Sequence, residues 1–179
     1  MRWASMIRRI FPTASMAIVC WALLGSSVRA QDVLEFVAHA QPSVSGTVRI
    51  QSSGDEPVKD SEWAGRKSQA RQLEGVALTL DTPPELLRLE YQCAVEDVGD
   101  IGWFTQGSMC GLEYRKQPKR LESIQIHLAG RASGYFNVWY ECHVQGIGDM
   151  PAKKDGAPCG TSGQGRRLEA VRVWVERLP

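Results

Sequence analysis

The sequence predicts an all-β domain built from three copies of one unit of about 48 residues. Three nine-residue segments each contain Leu-Glu, then a small residue, then aliphatic residues at alternate positions; they span 72–80, 120–128 and 167–175. Alternation with period two is typical of a strand that buries one face. The starts of the segments lie 48 and 47 residues apart. Three equivalent strands in one chain therefore predict approximate threefold symmetry.

The first thirty residues have the features of a signal peptide. Arg2, Arg8 and Arg9 precede an apolar run from Ile10 to Leu24, and Val28-Arg29-Ala30 matches the pattern before a cleavage site. The apolar run is short for a membrane span, although an uncleaved N-terminal anchor is the alternative. We therefore expect a secreted or periplasmic protein whose mature chain has no membrane span.

Cleavage after Ala30 changes the net charge from +1 to −3, because the removed segment contains four arginines and no acidic residue. A slightly acidic chain has no electrostatic footprint for nucleic acid, so nucleic acid is excluded as an expected partner. The remaining length fits one domain.

The chain divides into an N-terminal segment and a single domain of three units. Residues 31–45 form the segment, in which Val33, Phe36 and Val37 fit either a short helix or an edge strand. Residues 46–179 form the all-β domain, and its first, second and third units span 46–81, 86–129 and 135–176.

The middle of the unit repeats as well. Tyr-x-Cys-x-Val begins at Tyr91 and at Tyr140, Gly-Asp pairs end at Asp100 and Asp149, and a Gly-rich segment with a cysteine follows in both units. In the shorter first unit, Val48-Arg-Ile50 aligns with Val138-Trp-Tyr140. This alignment places Ser52 and Ala64 at the two cysteine positions.

Four cysteines remain after cleavage, and an even number in an exported chain predicts two disulfides. The cysteines are 17 residues apart in both units that contain them, and the first unit lacks both. Joint loss is what paired partners would show, so we predict Cys93–Cys110 and Cys142–Cys159. A zinc site is disfavoured because no CxxC pair occurs, and we expect no cofactor.

The third unit resembles the clostridial hydrophobic-W (ChW) repeat. The resemblance rests on Asn137–Gly148, on Gly156–Gly163 and on the Arg-Leu-Glu strand at 167–175, and it extends over the second unit and half of the first. The tryptophan that names the family is clearest at Trp103, whereas Asp149 replaces it in the third unit. The resemblance implies an envelope or extracellular location and a role in adhesion or polysaccharide interaction, without a defined catalytic centre.

Three β units in one domain favour a closed pseudo-threefold fold. A β-prism or a β-trefoil would bury three aliphatic strands against a shared axis and leave few open edges. The β-prism is preferred because its units are simple sheets, and the β-trefoil is the alternative. The Arg-Leu-Glu strand also resembles, weakly, a unit-ending strand of jacalin-like lectins.

The sequence does not predict an enzyme. Of the three histidines His143 is the best candidate for chemistry, but a Cys–His nucleophile would need a free thiol at Cys142. The serines lie in no nucleophile-elbow motif. The repeated Glu74, Glu122 and Glu169 are expected to form structural ion pairs or to accept backbone hydrogen bonds.

Aromatic residues give the best case for binding. Trp103 and Phe104 lie in the segment between Cys93 and Cys110, where we expect a loop, and a loop aromatic on a fixed scaffold suits stacking on a sugar ring. The alternative is a tryptophan folded onto its own sheet. Polar residues complete the candidate ligand-binding site: Asp100, His143, Gln145 and Asp149.

We therefore expect an exported, non-catalytic, lectin-like module that recognises glycan or cell-wall polymer, with binding centred on the second and third units. The alternatives are a protein–protein adaptor or inhibitor in the cell envelope, and a structural surface protein.

Overall fold

The computed structural model describes residues 29–111, 113, 114 and 117–179. The predicted signal peptide lies outside these residues except for its last two positions. The described chain is mostly β, and no helix in it is long and apolar enough to cross a membrane. Its elements are α1 Ala30–His39, β1 Val44–Ile50, β2 Gly54–Lys59, β3 Ala64–Gly65, β4 Leu73–Leu80, β5 Arg88–Val95, β6 Gly99–Thr105, β7 Glu113–Tyr114, β8 Gln117–Pro118, β9 Leu121–Ala129, a 3-10 turn Ser133–Tyr135, β10 Phe136–Val144, β11 Gly148–Asp149, β12 Lys153–Lys154, β13 Cys159–Gly160 and β14 Leu168–Arg177.

The N-terminal segment forms a helix, which decides between the two structures that its sequence allowed. Helix α1 buries Val33, and the Phe36 ring packs against Phe136 with ring centroids 6.1 Å apart. Arg177 near the C-terminus donates from Nη1 to the carbonyl oxygens of Val37 and Ala38, each at 3.0 Å. The apolar residues on one face of the helix and the hydrogen bonds from Arg177 hold the helix on the β domain.

Each unit forms one antiparallel sheet around its first long strand. Strand β1 lies between β2 and β4, strand β5 lies between β6 and β9, and strand β10 lies between β14 and the short strands β11 and β12. The Leu-Glu segments thus end each unit as β4, β9 and β14. Their aliphatic residues are buried or half-buried as the alternation predicts.

The strand register corrects the alignment of the first unit. Cys93 pairs with Ile124 and Cys142 pairs with Val171, and the residue that pairs with the equivalent Val76 is Val48. Val48, not Ser52, therefore occupies the first cysteine position. The error has a physical cause, since aliphatic residues alternate along this strand and a shift by an even number of residues preserves its buried face.

The sheets are joined by a cyclic exchange of short segments. Strand β3 of the first unit pairs with β14 of the third unit, and β13 of the third unit pairs with β9 of the second. Cys110 of the second unit closes the cycle by bridging Val76 in β4 of the first unit. Each unit therefore completes the sheet of another unit.

Both predicted disulfides are confirmed. Cys93 and Cys110 have Cα atoms 6.2 Å apart, and the Cα atoms of Cys142 and Cys159 are 5.9 Å apart. The second cysteine of each pair lies on a neighbouring sheet. Each disulfide therefore links two sheets, and the two bonds lie at two of the three joints between sheets. At the third joint Ala64 occupies the position of the second cysteine.

Candidate functional site

Two of the three repeated glutamates bind segments that other units contribute, whereas Glu74 accepts a hydrogen bond from Gln72 of its own strand region. Glu122 accepts a hydrogen bond at Oε2 from the Gly163 backbone N–H at 2.8 Å and pairs at Oε1 with Arg120. Glu169 does the same with the Ser68 N–H, at 2.7 Å, and with Arg167. Both carboxylates are buried, and their contacts give them a structural role at the joints.

The structure places Trp103 and Phe104 on strand β6, so the expectation of a loop there is wrong. Residues adjacent on a strand point to opposite faces, and Phe104 packs against the core while Trp103 is 49% exposed. The Trp103 ring stands edge-on to His127 at 4.3 Å, and His127 Nε2 lies 3.1 Å from Glu90 Oε2. Trp103 and Phe104 therefore do not form one aromatic site.

The Gly-Asp aspartates occur in all three units once the first is aligned by register. Asp55 faces Arg49 across the hairpin, Asp100 faces Ala94, and Asp149 faces His143. Sequence alignment missed Asp55 because it shifted the first unit. The cross-strand partner differs in every unit, so each aspartate has its own chemistry.

His143 brings together residues of the first and third units. It lies near the end of β10 and is 8% exposed. Its Nδ1 lies 2.6 Å from Asp149 Oδ1, and its Nε2 lies 3.2 Å from Ser68 Oγ and 3.7 Å from Glu169 Oε2. A cleft of about 450 Å³ opens at this cluster, and Gln145 also lines it. We call this the His143 cleft.

Lys67 controls the charge of the aspartate beside the cleft. Its Nζ lies 2.6 Å from Asp149 Oδ2. The ammonium of Lys67 and the imidazole of His143 hold the pKa of Asp149 below its ordinary value. Asp149 is therefore a carboxylate at neutral pH, and it orients the His143 ring by accepting a hydrogen bond from Nδ1–H.

Three of the other tryptophans cluster on the outer face of the third unit's sheet. Trp139 and Trp174 are a cross-strand pair with nearly parallel rings. The angle between the ring planes is 11°, and the ring centroids are 6.4 Å apart. The Arg172 guanidinium lies 5.2 Å from the Trp174 ring centroid and 5.7 Å from that of Trp63. Lys154 lies 5.4 Å from the Trp139 centroid. We call these five residues the tryptophan face.

The tryptophan face is continuous with the His143 cleft. Lys67 Nζ lies 3.9 Å from the Trp63 ring centroid while it pairs with Asp149. All three tryptophans of the face are half-buried, which leaves part of each ring open to solvent. The buried atoms Trp139 Nε1 and Arg172 Nε have no hydrogen-bond partner in the described part of the protein, so the polar groups open to solvent here include the charged ends of Lys67 and Arg172. Aromatic surface and polar groups thus meet on one side of the third unit.

The corresponding faces of the other two sheets are different. Where the third unit has Trp139 and Trp174, the register places Glu90 and His127 in the second unit and Ser45 and Thr79 in the first. Trp103 lies over the Glu90 and His127 face of the second unit. Aromatic surface is therefore concentrated on the third unit, and the sequence did not single it out because Trp139 and Trp174 lie on different strands whose pairing it does not give.

The candidate residues do not form a metal centre. Within residues 29–111 and 117–179, no group of three or more His, Cys, Asp and Glu side chains is arranged to hold a metal ion.

Comparison with known proteins finds a family match in the third unit. The model of the Clostridial hydrophobic W (ChW) family matches residues 143–177, which run from His143 through β14. No curated protein and no solved structure matches the chain. The matched stretch contains His143, Asp149, Arg172 and Trp174, so it includes parts of both the cleft and the tryptophan face.

Proposed function

We propose that the protein is an exported, lectin-like module that binds glycan or cell-envelope polymer at the tryptophan face. The observation that carries this proposal is the pair of nearly parallel indole rings at Trp139 and Trp174. The binding role needs no catalytic group, and the two disulfides fit a protein that works outside the cytoplasm.

The chemistry of the face suits a sugar polymer. A pyranose ring presents C–H groups on its faces and hydroxyls around its rim, so it needs flat aromatic surface bordered by polar groups. Trp139 and Trp174 supply the surface, and Lys154 and Arg172 supply donors beside it. Glu176 accepts a hydrogen bond from Trp174 Nε1 at 2.9 Å and adds acceptor oxygens.

The residues proposed from sequence contribute unequally to this site. His143, Gln145 and Asp149 lie in or beside the cleft that continues the tryptophan face, and they are proposed to bind polar groups of the polymer. Trp103 and Asp100 belong to the second unit and are proposed as a secondary contact. Phe104 packs against the core, so its contribution is to position β6.

A glycan array with the disulfide-bonded protein tests the proposal. We expect binding to polymeric glycans, and we expect Trp174→Ala to weaken it by about 5- to 30-fold, as the loss of about 1–2 kcal/mol of aromatic and cation–π contact requires. Trp103→Ala should weaken it less. Tyr135→Ala, which removes an exposed aromatic residue outside the tryptophan face, is the matched control and should bind like the wild type.

Thermal unfolding of each variant separates binding from folding. Trp174 is half-buried, so its removal should lower the melting temperature by only a few degrees. The lectin proposal would be wrong if the wild type bound no glycan on the array. If the wild type then captured a defined envelope protein and Trp174→Ala did not, the protein would be an adaptor that binds another protein.

We also propose that all three units are degenerate ChW repeats in a β-prism-like arrangement. Equivalent strand registers and the cyclic exchange of short segments support this proposal. A crystal structure in which the three sheets do not superpose by rotations of about 120° would contradict it.

A further inference from the structure

Ser68 occupies a position where the third unit has a glycine. Each lies three residues after the glycine of an exchanged segment, Gly65 or Gly160, and each donates its backbone N–H to a buried glutamate. The backbone is left-handed at both positions, with φ of 60° at Ser68 and 70° at Gly163. Glycine takes this conformation freely, whereas a serine is strained by it.

The strained serine places its hydroxyl on His143. Ser68 Oγ lies 3.2 Å from Nε2, and the opposite ring nitrogen, Nδ1, lies 2.6 Å from Asp149 Oδ1. A hydroxyl, an imidazole and a carboxylate in this order form the arrangement that activates a serine nucleophile. Ser68 is exposed at the His143 cleft, where a substrate can reach it, while the histidine is buried.

The equivalent joint elsewhere in the molecule lacks the two reactive groups. Between the third and second units, Gly163 stands in place of Ser68 and Ala94 in place of His143, although the aspartate is retained as Asp100. Both joints keep the same backbone contact to a buried glutamate. The serine and the histidine are therefore not required to build a joint.

We propose that Ser68 is a nucleophile that hydrolyses small carboxylic esters, with His143 as general base and Asp149 as the positioning residue. This activity goes beyond the proposed binding function and does not depend on it. An acyl group carried by a sugar is the substrate that would connect the two, because Lys67 joins the cleft to the tryptophan face.

The reaction proceeds in two balanced steps. Ser68 Oγ bonds to the ester carbonyl carbon while its proton moves to His143 Nε2; the carbon–alkoxide bond then breaks, and the alkoxide leaves as an alcohol with that proton. Water next gives a proton to His143 Nε2 and bonds to the acyl carbon; the bond between that carbon and Ser68 Oγ then breaks, and His143 returns the proton to Oγ, which releases the carboxylic acid and regenerates the serine.

Two carboxylates lie close to the His143 ring. Glu169 Oε2 lies 3.7 Å from Nε2, so the imidazolium is flanked by carboxylates on both nitrogens. Arg167 lines the same cleft and pairs with Glu169, which limits the negative charge near the acyl group.

Labelling of the purified protein with a fluorophosphonate, followed by peptide mass spectrometry, tests the nucleophile. We expect one adduct, at Ser68, and hydrolysis of p-nitrophenyl acetate above the background rate. Ser68→Gly should abolish both while folding at least as stably, because it restores the residue found at Gly163 and removes the strain. Ser52→Ala is the matched control, since Ser52 is also an exposed serine with φ of 60°, and it should change neither result.

Kinetics of further variants test the other two roles. His143→Gln should lower the hydrolysis rate about 100-fold or more. Asp149→Asn should lower kcat and leave KM unchanged, a split that a structural defect would not produce. The absence of an adduct at Ser68, equal labelling of Ser52, or hydrolysis by Ser68→Gly at the wild-type rate would overturn the proposal.

Discussion

Gly160 lies directly against Ser123 on the neighbouring sheet. A Cβ atom added at Gly160 would lie 2.3 Å from the Glu122 carbonyl oxygen and 2.7 Å from the Ser123 Cα. The other two joints repeat this contact, with Gly65 against Ala170 and Gly111 against Gly75. The glycine of each exchanged segment and the small residue after Leu-Glu are thus complementary halves of one joint.

Gly160→Ala should destabilise the protein by about 3 kcal/mol or more, because it combines overpacking against backbone with a left-handed φ of 117°. Chemical unfolding in urea measures this loss. Gly134→Ala is the matched control, since an added Cβ there meets nothing within 4 Å, and it should change stability by about 0.5 kcal/mol or less. Equal effects of the two substitutions would show that the joint is looser than described.

Glu122→Ala should cost about 1–3 kcal/mol, because it leaves the Gly163 N–H without its acceptor and removes one of the two carboxylates that pair with Arg120, the other being Glu96. Glu62→Ala removes an exposed carboxylate that lies 3.7 Å from Lys59 and should cost less than about 1 kcal/mol. Urea unfolding compares the two. A cost below 1 kcal/mol for Glu122→Ala would mean that the carboxylate does not hold the joint.

The corrected register predicts a place for a third disulfide. Val48 and Ala64 occupy the cysteine positions of the first unit, so the double variant Val48→Cys, Ala64→Cys should form a bond that links the first and third sheets. Peptide mapping without reduction should find all three pairs, and the melting temperature should rise. The variant Ser52→Cys, Ala64→Cys follows the sequence alignment instead and should leave both new thiols free; a bond there would restore that alignment.

The strands and disulfides could be predicted from sequence because their signals are local or repeated. Alternation places Leu78 and Ile126 in the core, and the shared spacing of 17 residues pairs Cys142 with Cys159. The exchange of segments between units could not be predicted, since it depends on contacts between residues far apart in the chain. Ser68 and His143, separated by 75 residues, meet only because of that exchange.

The tryptophan face could not be predicted from sequence either, because it also depends on which strands pair. The alternation of residues along β14 puts Trp174 on the side opposite the aliphatic residues, but it does not tell which residue of β10 stands beside it. Register fixes that partner as Trp139, and β3 then brings Trp63 to the same face through Arg172. Pairing, rather than composition, assembles the candidate binding surface.

Tyr140 makes the stability of the protein sensitive to alkaline pH. Its ring is fully buried and its hydroxyl donates to the Ala157 carbonyl oxygen at 2.5 Å, and burial raises its pKa from the ordinary value of 10.0 to about 12. The unfolded chain therefore loses this proton at lower pH than the folded protein does. The stability that Tyr140 contributes is complete below about pH 10 and is lost as the pH rises from 10 towards 12.

Urea unfolding at pH 8 and pH 11 should show this loss in the wild type. Tyr140→Phe should be less stable at pH 8, because it lacks the hydrogen bond to Ala157, and should lose less stability between the two pH values. Tyr140→Phe should still lose some stability between pH 8 and pH 11, since burial also raises the pKa of Tyr91. Tyr135→Phe alters an exposed ring and should follow the wild type at both pH values. If Tyr140→Phe lost as much stability as the wild type, the alkaline transition would belong to another group, because a phenylalanine has no proton to release.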